Sequence, residues 1–346
     1  MSRLQYHTLR VLEVVEETAD ARSIVFELPD ALKDSFRFKP GQHLQLHVPC
    51  SGKPLPRCYS LSSMAGEPLR VTVKRVADGR ASSWICAELK AGATLEVMPP
   101  AGVFTPRSLD GDFLMYAGGS GITPVFSIIR SVLALGKGRL RLLYANRDER
   151  SVIFGAELSR LAREHPGRLQ VLHWLDSVQG LPTRAQIATL SRDWLAAAAQ
   201  PQCFICGPTA FMDTTAAALR ELGLSHGQIH IERFVSLPED ADDAPPAPAP
   251  VAGGETCQIE AELDGVLHKV AAQPGQLIIE ALEAAGIEPP YSCRAGACAA
   301  CMCHLEEGDV ELRHNHVLSE QDMSEGWILA CQAVPLTPRV RVRYPT

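Results

Sequence analysis

Apolar and polar residues alternate in short runs through the first hundred positions, as at residues 23–28, 43–48 and 69–74, with Pro40-Gly41 and Gly52 between them. Period-two alternation sends one face of each strand into a core and the other toward water, which predicts an antiparallel barrel or sandwich. From about Asp110 the pattern changes, and apolar runs at 113–116, 140–144, 169–172 and 203–206 are separated by segments of helical period. Strand and helix in alternation predict a parallel α/β sheet. Farther on, residues 257–270 read as a hairpin turning at Asp264-Gly265, and 276–285 as a short amphipathic helix.

Between Leu237 and Thr256 the chain becomes a run of prolines, acids, alanines and glycines with almost no large apolar side chain. That composition predicts an extended linker. The expected division is therefore a barrel at 1–108, an α/β domain at 109–236, the linker at 237–256 and a last domain at 257–346. A chain of 346 residues is long enough for two or three cores, and 46% apolar residues suffice to fill them. The 33 basic and 40 acidic residues give a net charge of -7 with no basic block, so nucleic acid is not an expected partner. No apolar stretch resembles a signal peptide or a membrane span, and the expectation is a cytoplasmic protein. Eleven cysteines fit metal ligands plus free thiols better than a disulfide framework.

Cys293, Cys298 and Cys301 are spaced C-x4-C-x2-C, and Cys331 follows after 29 intervening residues. This is the spacing of plant-type 2Fe-2S ligation. Gly296, Ala295, Ala297, Ala299 and Ala300 carry little side chain, so backbone N–H groups can approach the sulfurs, and Arg294 adds a cation. Structural zinc is the competing reading, although zinc sites usually place C-x2-C pairs at both ends. Cys303, two residues past Cys301 in an expected strand, should face away as a core thiol. His314 and His316 are read as surface-strand residues. Glu306, Glu307, Asp309 and Glu311 form a run that is solvated or else steers a basic partner.

Residues 117–124, Ala-Gly-Gly-Ser-Gly-Ile-Thr-Pro, lie between an expected strand and an expected helix. Glycines in that context let a pyrophosphate approach backbone N–H groups at a positive helix end, with Thr123 as cap and Pro124 at the first helical position. A plain turn would use similar residues. Arg57-Cys58-Tyr59-Ser60, Gly118 to Pro124 and Cys206-Gly207-Pro208 nevertheless occur in the order and spacing of the ferredoxin-NADP reductase family. Together with the C-terminal plant-type ferredoxin segment, the whole chain resembles the reductase components of bacterial multicomponent oxygenases.

That resemblance implies a multidomain fold: an antiparallel β-barrel for FAD, an α/β parallel-sheet nucleotide domain, and an α+β β-grasp ferredoxin domain. It implies that Arg57 pairs with the FAD pyrophosphate, as a planar permanent cation can, that Tyr59 stacks on the flavin, and that Ser60 bonds near its hydride-accepting nitrogen. Val73 and Lys74 would line the flavin, and Ala81, Ser82 and Ser83 would meet phosphates at a helix start. Gly119, Ser120, Gly121, Thr123, Pro124, Cys206, Gly207 and Pro208 would hold NADH or NADPH, with Thr123 and Cys206 flanking the nicotinamide. Ser60, Thr123 and Cys206 are thus the catalytic candidates, and Phe234 would cover the other flavin face. Tyr59, Cys206 and Phe234 also have plain readings as core residues, and Ser82 as a cap. At residues 146–151, Arg147 or Arg150 suits a 2′-phosphate whereas Asp148 or Glu149 suits a free hydroxyl, and solvated loop residues are the bland alternative.

The expected activity is electron transfer from NAD(P)H through FAD and the 2Fe-2S cluster to a separate oxygenase, hydroxylase or desaturase component, from a monomeric reductase. A self-sufficient reductase of small acceptors and an iron–sulfur redox sensor are the alternatives.

Overall fold

The computed structural model describes residues 5–50, 52, 54–234 and 256–345. Two compact units hold the domains: Tyr6–Pro100 with Phe104–Phe234, and a C-terminal unit. The predicted linker, up to residue 255, lies outside the described residues.

In the first unit, β1 (His7–Thr18), β2 (Ala21–Glu27), β3 (His43–Val48), β4 (Leu55–Ser60), β5 (Arg70–Lys74) and β6 (Thr94–Val97) pair in the order β4-β3-β6-β1-β2-β5. Every pairing is antiparallel. An antiparallel bridge from Leu61 to Val71 joins the two edges, so the sheet closes into a barrel. Closure leaves no bare edge, and the inward residues Leu9, Val11, Ile24, Leu44, Leu46, Val71 and Val97 are fully buried. Helix α1 (Arg80–Glu88) covers one end and contributes Ala81 and Ile85 to the same core.

The same unit continues with a parallel sheet of β7 (Asp112–Gly118), β8 (Arg139–Asn146), β9 (Leu169–Leu175), β10 (Gln202–Cys206) and β11 (Ile229–Glu232), ordered β11-β10-β7-β8-β9. Its helices are α2 (Ile122–Leu135), α3 (Gly155–Glu164), α4 (Asp176–Gln179), α5 (Arg184–Ala196) and α6 (Thr209–Glu221). Strands buried on both faces read as unbroken apolar runs, and alternate residues go to opposite layers. Thus Leu142, Tyr144, Phe204 and Cys206 pack with α2 and α3, whereas Leu143, Ala145, Cys203 and Ile205 pack with α5 and α6.

Helix α2 joins this sheet to the barrel. Arg130 grips Glu67 with two bonds of 2.6 and 2.5 Å, and Ser127 donates to the Ser63 carbonyl at 2.7 Å. Arg70 of the barrel pairs with Glu157 at 3.4 Å and lies over the Phe154 ring at 5.0 Å.

The C-terminal unit contains β12 (Cys257–Leu263), β13 (Val266–Ala272), α7 (Ile278–Ala284), β14 (Met302–Glu307), β15 (Val310–Leu312), α8 (Glu320–Ser324), β16 (Trp327–Leu329), β17 (Ala333–Pro335) and β18 (Arg339–Arg343). Its larger sheet has the order β13-β12-β18-β14-β16, with β12 and β18 parallel, and α7 packs across it into a single core. This is the expected α+β grasp. The hairpin turns at Asp264 and Gly265, both at positive φ (49° and 78°), as a two-residue turn matching strand twist requires.

Three local expectations change. The helix expected at 276–285 is shorter, Ile278–Ala284. His314 and His316 lie in a loop, where their rings stack at 6.4 Å and the His316 N–H donates to the Gly296 carbonyl at 3.0 Å. Two of the four residues in the acidic run are paired: Arg341 and Arg343 hold Glu306 at 3.1 and 2.8 Å, and Arg339 approaches Glu307 at 3.7 Å. Basic residues alternating along β18 meet Glu306 and Glu307 across the sheet.

Candidate functional site

The carboxyl ends of β7 and β10 lie side by side, and glycines allow it. A Cβ on Gly121 would sit 2.1 Å from the Cys206 carbonyl oxygen, and one on Gly207 would sit 2.9 Å from the Gly118 nitrogen. Gly119 adopts φ +53°, a left-handed turn that glycine adopts without strain. The loop Gly119-Ser120-Gly121 is braced by Tyr144, whose hydroxyl donates to the Gly119 carbonyl at 3.1 Å, and by Thr123, whose hydroxyl donates to the Ser120 carbonyl at 3.1 Å. Gly121, not Thr123, occupies the cap of α2, and Pro124 is the third helical residue rather than the first. Thr123 therefore shapes the loop from inside the helix. The positive end of this 14-residue helix, beside a glycine turn at a strand end, suits a pyrophosphate, although the Ile122 N–H is bonded to the Gly119 and Ser120 carbonyls and Pro124 carries none.

Cys206 is fully buried, and burial together with the neighbouring Glu232 pushes its thiol well above the ordinary range. Glu232, the register partner of Cys206 on β11, was missed by sequence reasoning. The residue as a whole is half-buried, but its carboxyl is enclosed and pushed up to about 7 by desolvation, with His43 acting in the opposite direction. His43 is itself paired across the barrel with Ser60. The sequence around Glu232 carries no motif; the signal was only an acid at the end of a short strand.

Ser60 is buried at the end of β4, and Tyr59, half-buried, packs on the barrel core, where desolvation raises its hydroxyl pKa. Arg57 lies on the same strand and donates to the Pro56 carbonyl at 2.9 Å. Val73 is buried in that core. At the start of α1, a Cβ on Gly79 would strike Val76 and Ser82 at 2.4 and 2.5 Å, so the turn needs glycine. The Ser82 hydroxyl accepts from the Val76 N–H and donates to the Gly79 carbonyl, each at 3.3 Å, and Ser83 closes the first helical bond to Gly79. The remaining N–H groups of this turn, including that of Ala81, stay open for an anion. Phe234 is 46% exposed and is no core ring.

Lys74 reaches the nucleotide loop: its ammonium lies 3.8 Å from where a Gly119 Cβ would stand, and 3.8 Å from the Asp20 carboxylate. Arg147 pairs with that same carboxylate at 3.0 Å. Asp148 is committed to its own turn, accepting from the Ser151 N–H and hydroxyl at 3.0 Å each, which holds its carboxyl below the usual range.

In the C-terminal unit the four predicted thiols fall into two neighbouring pairs, Cys293 with Cys298 and Cys301 with Cys331. Two pairs suit a two-iron core, one pair to each iron, better than a lone zinc ion. Backbone donors face the sulfurs: Ala295 and Ala297 approach Cys293 at 3.4 and 3.3 Å, and the Cys293 N–H approaches Cys298 at 3.4 Å. The Cys301 thiol beside Cys331 draws the latter below the ordinary thiol range. Arg294 and Ala299 at positive φ, with Gly296, give the loop its curl. Arg294 is anchored by Glu283 and by the Tyr291 ring, 4.1 Å from its guanidinium, while Gln332 donates to its carbonyl at 2.8 Å. Cys303 is wholly buried in the sheet core, as expected.

A closed barrel, a parallel nucleotide-type sheet and a cysteine-loop grasp domain define a flavin and iron–sulfur reductase. Residues 8–105 match the oxidoreductase FAD-binding domain, 115–217 the oxidoreductase NAD-binding domain and 261–336 the 2Fe-2S iron-sulfur cluster binding domain. The chain is 47% identical to the ferredoxin reductase component of 3-ketosteroid-9-alpha-monooxygenase from Rhodococcus rhodochrous, covering 97% of this chain and 96% of that one. It is 34% identical to a component of 1,2-phenylacetyl-CoA epoxidase from Escherichia coli strain K12, with 98% of each covered. The crystallised phthalate dioxygenase reductase shares the fold, at 23% identity over 98% of both chains with a TM-score of 0.59. The protein belongs to the family of ferredoxin reductase components of oxygenase systems. It is an oxidoreductase that takes electrons from NAD(P)H and passes them, by way of FAD and a 2Fe-2S cluster, to a separate oxygenase. No helix among the described residues is long and apolar enough to cross a membrane.

Proposed function

We propose that this chain is the reductase of a 3-ketosteroid 9α-hydroxylating system, acting as a cytoplasmic monomer that meets its oxygenase transiently. The observation that carries the reading is 47% identity spread over 97% of the chain, across all three domains. In this assignment the flavin domain ends near residue 108, the nucleotide domain near 236, and the linker of 237–256 precedes the cluster domain at 257. When bound, the nicotinamide supplies hydride, FAD accepts it, and the 2Fe-2S centre carries single electrons onward.

The residues divide that work. Arg57, the open N–H groups at Ala81 and Ser82, and the Ser83 hydroxyl hold the FAD phosphates, Tyr59 and Val73 lie against its ring, and Phe234 covers the opposite face. Gly119, Ser120, Gly121, Thr123 and Pro124, with Gly207 and Pro208, cradle the coenzyme, and Lys74 serves the phosphate side of that loop. Ser60, Thr123 and Cys206 border the reacting atoms, Cys206 as a neutral thiol that excludes water. Glu232 holds a proton beside them near neutral pH. Cys293, Cys298, Cys301 and Cys331 ligate the cluster.

Reconstitution tests the partner: purified reductase with a 3-ketosteroid oxygenase component should hydroxylate steroid with NAD(P)H consumption matching product. Coupling to a phenylacetyl-CoA epoxidase component alone would reject the steroid assignment. Arg57→Ala should lose FAD on gel filtration, and full flavin occupancy in that variant would remove Arg57 from the site.

A further inference from the structure

Coenzyme choice in a parallel-sheet nucleotide domain is read at the end of the second strand, where an acid favours a free ribose hydroxyl and an arginine favours a 2′-phosphate. Here two of the four candidate readers are engaged elsewhere. Asp148 caps its own turn through Ser151. Arg147 is drawn toward the barrel by Asp20, a residue 127 positions away in sequence, in the turn between β1 and β2. Asp20 is aimed for this contact. Its Oδ1 accepts from the Thr18 hydroxyl at 2.8 Å, which leaves Oδ2 facing Arg147 at 3.0 Å and Lys74 at 3.8 Å. Of the other side chains there, Glu149 and Arg150 are exposed, whereas Asn146 is only 4% exposed and its amide has no well-formed hydrogen bond among the described residues although the Tyr144 hydroxyl lies nearby.

We propose that Asp20, a residue of the flavin barrel, sets the coenzyme preference by holding Arg147 back from the ribose 2′ position. The proposal rests on the reductase reading above. A carboxylate at this place acts by occupying the arginine, which is then not free to pair with a 2′-phosphate. The Arg147 side chain is 68% exposed, so the effect is that of a solvent-screened ion pair and is modest.

The test is stopped-flow flavin reduction of the full-length holoprotein by NADH and by NADPH, with flavin content measured for each variant. Wild type should favour NADH. Asp20→Asn should raise the efficiency with NADPH by about 2- to 5-fold relative to NADH, the scale of one such ion pair. Thr18→Val, which frees the carboxylate to turn, should shift the ratio the same way by less. The gain should vanish when Asp20→Asn is combined with Arg147→Ala. An unchanged ratio in Asp20→Asn, an equal loss with both coenzymes, or a gain that survives without Arg147 would each overturn the assignment to this pair. If neither coenzyme bleaches the wild-type flavin, the reductase reading falls and this proposal with it; rapid bleaching with an insensitive ratio sinks only the proposal.

Discussion

Glu232 and Cys206 are register partners on adjacent parallel strands, and the enclosed Glu232 carboxyl is pushed up to about 7 by burial. A carboxyl whose folded pKa exceeds its ordinary value of 4.5 favours the fold only while protonated. Its stabilising contribution is complete below pH 4.5 and is lost as pH rises through about 7. Glu232→Gln should abolish this loss, so its melting temperature should gain on wild type steadily between those limits. Parallel melting curves across that range would show that Glu232 does not titrate there.

The same proton should be visible in function. Flavin reduction by NAD(P)H in wild type should carry an inflection near pH 7 that Glu232→Gln lacks, measured as the single-turnover rate against pH. A retained inflection in the variant would move the titration to another group.

The two thiol pairs make a different demand. Cys298→Ser leaves Cys293 without its neighbour and should empty the cluster, giving at least about a 100-fold loss of cytochrome or oxygenase reduction. Single-turnover bleaching of FAD should stay within about twofold, because the flavin and coenzyme residues belong to the other compact unit. Equal loss of both activities would contradict that division of labour.

Much of this was legible in the chain, and the rest was hidden for definite reasons. Period-two and alternating patterns located the barrel, the parallel sheet and the Asp264-Gly265 hairpin because burial dictates them residue by residue. The cysteine spacing announced its chemistry because three ligands lie within nine residues. Glu232 was invisible, since its raised pKa comes from enclosure by elements far away in sequence. Asp20 was hidden likewise, as a turn aspartate gains meaning only when Lys74 and Arg147 fold against it. The cap of α2 was misplaced because Thr123 has the right side chain for a cap, whereas the close approach of Cys206 places Gly121 there.

In the cluster loop, Gly296 sits at φ +70°, and a Cβ there would lie 2.6 Å from the His314 carbonyl oxygen. Gly296→Ala therefore combines left-handed strain with a backbone clash, together on the order of 2–4 kcal/mol. Iron content per chain should fall steeply while flavin content holds, as measured by metal analysis and absorbance. Full iron occupancy would mean the loop yields without losing its ligands.

Gly121 offers the sharpest test of how the coenzyme cleft is built. A methyl group there would meet the Cys206 carbonyl oxygen at 2.1 Å, its carbonyl carbon at 2.3 Å and the Gly207 nitrogen at 2.6 Å. All three are backbone atoms at and just past the end of β10, so no side chain can swing away, and the loop after β7 must shift from the end of β10. Overpacking of this kind costs about 1–3 kcal/mol. Gly121→Ala should thus lower the melting temperature by several degrees, about 2–4 °C per kcal/mol for a domain of this size. Since the displaced atoms line the coenzyme cradle, the apparent KM for NAD(P)H should also rise about tenfold or more. Gly167→Ala is the control, because a Cβ there meets nothing within 4 Å and its φ is not in the positive range, and it should leave both quantities unchanged. If Gly121→Ala matches that control in stability and KM, the close contact of the loop after β7 with the end of β10 is not what shapes the site.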